Sequence, residues 1–124
     1  MNCTILDWAD LAGAWSGEFQ GAPNRSDVSV IFNLMDAPGQ GPALHRHAYS
    51  ETFVIRRGTV EFTVGAENVV AHAGQIVVVP AGVPHAFVGR GDAPIEMFDI
   101  HASPEIVTEW LADTQASIPQ TSNR

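Results

Sequence analysis

The chain has 124 residues, 45% of them hydrophobic, and a formal charge of −8 with all six basic residues arginine. That length fits a single domain over residues 1–124, and that charge would repel a nucleic-acid duplex or an anionic membrane surface. No run approaches the roughly 18 apolar residues of a membrane helix, the first twenty residues carry no Lys or Arg, unlike a secretory leader, and the lone Cys3 has no partner for an intrachain disulfide; a cytoplasmic location is expected.

The first 27 residues hold Trp8, Trp15 and Phe19, rings that need cover either on the domain's own surface or in a subunit interface. Short β-rich runs follow: VSVIFNLM (28–35), ETFVIRR (51–57), TVEFTV (59–64), QIVVVP (75–80), HAFVGR (85–90) and IEMFDIH (95–101). Turn signals rich in Gly and Pro separate them at 37–41, 58, 65–68, 81–84 and 89–94. Short strands so spaced predict an all-β antiparallel sandwich or barrel. One helix is predicted over residues 104–113, with Ser103 as cap, Pro104 in the first turn, and Ile106, Val107, Trp110 and Leu111 as its apolar stripe. The polar tail 114–124 is expected to fray.

Within GQGPALHRHAYSETFVIRRG (39–58) stand His45, His47 and Glu51. Alternate residues of a strand share a face, so His45 and His47 point the same way, and Glu51 has the same parity if the chain stays in register through Tyr49. His85 follows the stiff PAGVP turn at 80–84, which would bring it onto a neighbouring strand. Three imidazoles and a carboxylate form a borderline nitrogen and oxygen set suited to one divalent transition metal: Fe, Mn, Ni, Co or Zn.

These residues resemble the cupin family. Its leading motif is matched by Gly39, His45, His47, Glu51 and Gly58, and its second by Gly74, Pro80, Gly82 and His85, with fifteen residues between the motifs as in small bacterial single-domain members. The resemblance covers residues 28–101 and implies a cupin-type jelly-roll barrel, with the predicted short C-terminal helix appended. It also implies a metal held by His45, His47, Glu51 and His85, and a homodimer. One position departs: where the second motif often closes with Asn, this chain has Gly89, which puts the local turn in question and not the ligands.

Parity extends the reading to the barrel lining. Phe53 and Ile55 share the face of Glu51, Phe87 that of His85, and Val60, Phe62 and Val64 form the apolar face of their strand. Phe53, Phe62, Phe87, Met97 and His101 are therefore the candidate ligand-contacting residues. Arg46 and Arg56 fall on the outward parity, which disfavours phosphosugars and favours a small, partly apolar organic ligand with oxygens on the metal. Asp99 and His101 share one face of the last strand, inward or outward; if inward, Asp99 could fix the tautomer of His101. Tyr49, Asp99 and His101 are the only candidate acid–base groups beyond the ligands, and no catalytic residue is assigned. His72 is expected to be exposed. The resemblance admits dioxygenases, isomerases, cyclases and decarboxylases; a non-catalytic binding or sensing module anchored by the metal is the alternative, and a purely structural metal is a third reading.

Overall fold

The computed structural model describes residues 2–91 and 94–112. A short helix α1 (Trp8–Ala12) precedes β1 (Gly17–Phe19), a 3-10 turn (Ala22–Asn24), β2 (Ser29–Met35), β3 (His45–Arg46), β4 (Glu51–Arg57) and β5 (Thr59–Val64). Then come β6 (Glu67–His72), β7 (Ile76–Val79), β8 (His85–Arg90), β9 (Ile95–His101) and β10 (Glu109–Trp110). The strands form two antiparallel five-stranded sheets, ordered β1-β2-β9-β4-β7 and β10-β3-β8-β5-β6. All-β expectation and jelly-roll architecture agree with this arrangement.

Period-2 burial builds the interior. On β2, β4 and β9 alternate side chains are buried, and β5 turns Val60 and Phe62 inward. Phe53 of one sheet meets Phe62 and Phe87 of the other, with ring centroids 5.0 and 5.3 Å away, and Met35, Ile55, Val60, Ile95 and Met97 complete the same apolar cluster. Each such fully buried side chain contributes roughly 1.5–3 kcal/mol. The register of β9 against β4 sets Met97 opposite Ile55, Asp99 opposite Phe53 and His101 opposite Glu51. The interior therefore runs from an apolar end to a polar end along the same strands.

The outer face of β2 and β9 carries the aromatic leader. Trp15 is buried against Phe32 (5.2 Å) and Phe98 (5.4 Å), donates its indole N–H to the Met97 carbonyl at 3.1 Å, and lies under the Arg56 guanidinium at 4.2 Å. Trp8 stacks edge-on against Trp15 but stays exposed. The leader thus covers the domain's own sheet. At Gly89, the departure from the family pattern, β8 runs on as a strand paired to Val60. A Cβ there would lie 2.5 Å from Ile95 Cδ1, so close sheet packing accounts for the glycine.

The predicted helix at 104–113 is not formed. Ser103 does act locally, its hydroxyl accepting from the Glu105 N–H at 3.2 Å, but the chain then extends. Val107 gives its N–H and C=O to Tyr49 and His47, and Glu109 and Trp110 pair with Arg46 and His45. These tertiary hydrogen bonds outcompete a helix whose stripe would have rested on weak intrinsic propensity. The one α-helix among the described residues is N-terminal. Strand β6 was not anticipated, because ENVVAH is an exposed edge with no inward alternation before Ala71. The tail 114–124 lies outside the described residues.

Candidate metal centre

Four side chains converge at the polar end of the barrel, and they come from both sheets. His45 lies on β3 and pairs across to His85 on β8. The PAGVP turn delivers His85: Gly82, at φ +79°, donates its N–H to the His47 carbonyl at 2.7 Å. Glu51 opens β4 in the opposite sheet. The chain leaves the strand after Arg46, so Glu51 does not share a face with His47 by continued register; it meets the histidines across the barrel. The parity argument reached the right residues by a path the chain does not take.

His45, His47, Glu51 and His85 are all buried, and each offers a ligand atom within 4.8 Å of the others. Their outer nitrogens are held alike. His45 Nδ1 faces the Ala43 carbonyl at 2.7 Å, His47 Nδ1 the Val107 carbonyl at 2.8 Å, and His85 Nδ1 the Val83 carbonyl at 3.0 Å. A carbonyl oxygen only accepts, so each Nδ1 carries the proton and each neutral ring presents an Nε2 lone pair inward.

Glu51 Oε1 lies 3.0 Å from His85 Nε2 and 3.1 Å from His47 Nε2, and Oε2 lies 3.1 Å from His101 Nε2. Only the His85 contact has the alignment of a hydrogen bond: His45 Nε2, His47 Nε2, His101 Nε2 and Glu51 Oε2 are buried without such a partner. Leaving a buried polar atom unsatisfied costs roughly 1–3 kcal/mol. Several lone pairs so oriented toward one another fit a shared cation better than one another. Metal bonds of about 2.0–2.2 Å can span such a group, and its donor chemistry matches the borderline set. The residues fit a metal ion.

The electrostatics follow from burial against proximity. Burial, then the neighbouring His85, pushes the His45 imidazole down to about 4. At His47 burial acts downward too, but the Glu51 carboxylate and the Val107 carbonyl outweigh it and the imidazole sits above its ordinary value. Burial would raise Glu51; His101, His47 and His85 around it hold it well below the usual carboxylate range. Asp99 goes the other way, raised by burial and by the Glu51 charge against a single 3.1 Å hydrogen bond from Asn33 Nδ2.

Asp99 and His101 both face inward and are fully buried. The tautomer-fixing role expected of Asp99 falls instead to Tyr49, whose hydroxyl lies 2.8 Å from His101 Nδ1 and accepts the Val107 N–H at 3.1 Å. Burial raises the Tyr49 phenol to about 12, so it remains a hydroxyl at neutral pH. Phe53, Phe62, Phe87 and Met97 sit beneath the cluster as part of the packed apolar interior, with the Phe53 ring 6.1 Å from that of His85. Arg46 points outward as expected and pairs with Glu109 at 2.7 Å. His72 is exposed on β6, 3.2 Å from the Thr59 hydroxyl.

The segment 102–111 is the part of the site that the helix expectation concealed. It lies across the mouth, with the Trp110 ring 5.0 Å from His45, and bounds a cavity of about 280 Å³. Arg46, His47, Ala48, Gly82, Val107, Thr108 and Glu109 line it. A larger recess of about 630 Å³ lies under the N-terminal leader, among Leu6, Trp8, Phe19, Val30 and Phe32, and none of the four clustered residues lines it.

The family model for the cupin domain matches residues 33–101. Among the curated proteins there is no match. Solved structures share the fold at low identity. Oxalate decarboxylase from Lactobacillus farciminis, in a formate complex, aligns with TM-score 0.67 and 19% identity over 79% of this chain and 32% of its own. Bacillus subtilis oxalate decarboxylase, described with Mn(II) centres, aligns with TM-score 0.66 and 20% identity over 77% of this chain and 27% of its own. The cupin domain of Schizosaccharomyces pombe Cnp3 aligns with TM-score 0.52 and 20% identity over 61% and 54%. This chain spans about a third or less of the oxalate decarboxylases and about half of the Cnp3 domain.

Proposed function

The chain belongs to the cupin family, and on that premise we propose that it is a metal-dependent enzyme of dioxygenase, isomerase or cyclase type. Its metal is one divalent transition ion held by His45, His47, Glu51 and His85. The observation that carries this reading is the set of three imidazoles whose Nδ1 atoms are spent on carbonyls while their Nε2 atoms face Glu51 and one another. When bound, such an ion acts as a Lewis acid toward a carbonyl or enol oxygen. Manganese is the first ion to try, since Mn(II) centres are described for a structural neighbour, with Fe, Ni, Co and Zn beside it.

The chain's own residues divide the remaining work. The carbonyls of Ala43, Val83 and Val107 hold the ligand rings in one tautomer. Phe53, Phe62, Phe87 and Met97 exclude water from below. Tyr49 orients His101, whose Nε2 stands at the cluster and can hold a proton there. That buried pair is what favours an enzyme over the alternative, a non-catalytic binding or sensing module. The mouth cavity of about 280 Å³ is at the small end for ligand sites and suits a small, partly apolar organic substrate with one or two oxygens. The protein acts in the cytoplasm as a homodimer, the exposed Trp8, Ile76 and Val78 being apolar surface that a second copy would cover.

The test is reconstitution with each of the five metals, followed by assay of small carbonyl, enol, hydroxy-aromatic and dicarboxylate compounds, oxalate included. Conversion of at least one compound that is lost in His101→Ala, with metal content unchanged, supports the enzyme. Tight binding without conversion by any metal form selects the alternative.

A further inference from the structure

Thr108 is the polar residue of the mouth that nothing in the protein uses. Its Oγ1 is shielded from solvent, and among the described residues no donor or acceptor reaches it. An exposed threonine bonds water, and a buried one usually bonds a backbone carbonyl of its own segment. A hydroxyl that does neither costs roughly 1–3 kcal/mol, which valine of the same shape would avoid.

Its position is fixed from both sides. Val107 is tied through its N–H to Tyr49 and through its C=O to His47. Trp110 pairs with His45, and the Leu111 N–H donates to the Leu44 carbonyl at 2.9 Å. In an extended chain residues two apart share a face, so Thr108 looks to the side on which Trp110 meets the His45 ring. It also lines the mouth cavity together with His47 and Gly82. An unsatisfied hydroxyl thus stands on a rigid strap beside the cluster, on the side from which a ligand would enter.

We propose that the Thr108 hydroxyl is a specificity-determining anchor that donates a hydrogen bond to an oxygen of the small ligand seated at the metal centre. The inference rests on the metal-site reading above and adds to it the ligand class: a molecule with two neighbouring oxygens, one for the metal and one, a carbonyl, carboxylate or enolate oxygen, for Thr108. A ligand with a single oxygen would leave the hydroxyl unsatisfied and bind less well.

The experiment uses the chain loaded with Co(II) and titrated with acetohydroxamate, a compact two-oxygen probe, followed by the cobalt d–d absorption. Thr108→Val should weaken the probe about tenfold, as expected for a hydrogen bond to a charged oxygen, while Thr108→Ser stays within about threefold of the parent and cobalt affinity is unchanged in both. A second measurement needs no metal: the metal-free Thr108→Val protein should melt at the same temperature as the parent or higher, because it loses an unsatisfied group. Unchanged probe affinity in Thr108→Val, or a drop of several degrees in its metal-free melting temperature, overturns the proposal and leaves the metal site standing. A parent chain that takes up no cobalt overturns the metal-site reading itself, and this anchor with it.

Discussion

Replacing Tyr49 with Phe removes one oxygen from the junction between the mouth strap and the cluster. The ring is kept, including its stacking on His47 at 5.0 Å and 19°, so the change isolates the hydroxyl. Two partners lose it: His101 Nδ1 at 2.8 Å and the Val107 N–H at 3.1 Å. His101 is fully buried and its nitrogen cannot turn to water, which costs roughly 1–3 kcal/mol. Val107 is exposed, so only the net value of its bond is lost, about 1 kcal/mol. Together these destabilise the metal-free protein by about 2–4 kcal/mol, or roughly 8–15 °C in melting temperature for a chain of this length. Thermal unfolding followed by circular dichroism reads the change directly. A shift below about 2 °C would refute the claim that this hydroxyl ties the strap to the site.

His47→Ala should reduce metal affinity at least a hundredfold in competition with a chelator, whereas Arg46→Ala, which breaks an exposed ion pair worth under about 1 kcal/mol, should leave it unchanged; equal losses would mean that the inward and outward faces are misassigned. Acidification of the metal-free protein should cost the parent more stability than His45→Gln. The folded state holds His45 neutral down to about 4 while the unfolded chain protonates it from 6.5, so about 3 kcal/mol is lost as pH falls through that window. Asp99 and His47, both raised, pull the profile the other way in parent and variant alike, so urea titrations of the two proteins at pH 7 and 4 isolate His45; parallel losses would contradict the assignment. Light scattering should give about twice the 13.3 kDa chain mass at micromolar concentration, and the chain mass itself would rule out the homodimer.

What the sequence made legible was whatever depends on period and punctuation. Alternation placed Phe53, Phe62, Phe87 and Met97 inside because a strand can bury only one face. The spacing of His45, His47, Glu51 and His85 selected the cluster even though Glu51 reaches it from the opposite sheet. Ser103 and Pro104 misled because a local cap signal says nothing about distant competitors. The Val107 backbone groups are claimed by His47 and Tyr49, sixty and fifty-eight residues away, and no window around 104–113 contains that fact. The direction faced by His101 was open for a related reason: on a strand with Glu96, Phe98 and Ile100 on one face and Met97, Asp99 and His101 on the other, composition does not choose. The register with β4 chooses, setting His101 opposite Glu51. Strand β6 was hidden by its exposure, since an edge without a buried face has no alternation to read.

The most direct test of the account is elemental analysis of the protein purified without chelator. Four buried donors within 4.8 Å of one another, three of them imidazoles already held in the ligand tautomer, predict close to one transition-metal ion per chain, retained on dialysis and lost in His47→Ala. Protein that carries no metal, and regains none on incubation with Mn, Fe, Co, Ni or Zn, would contradict it.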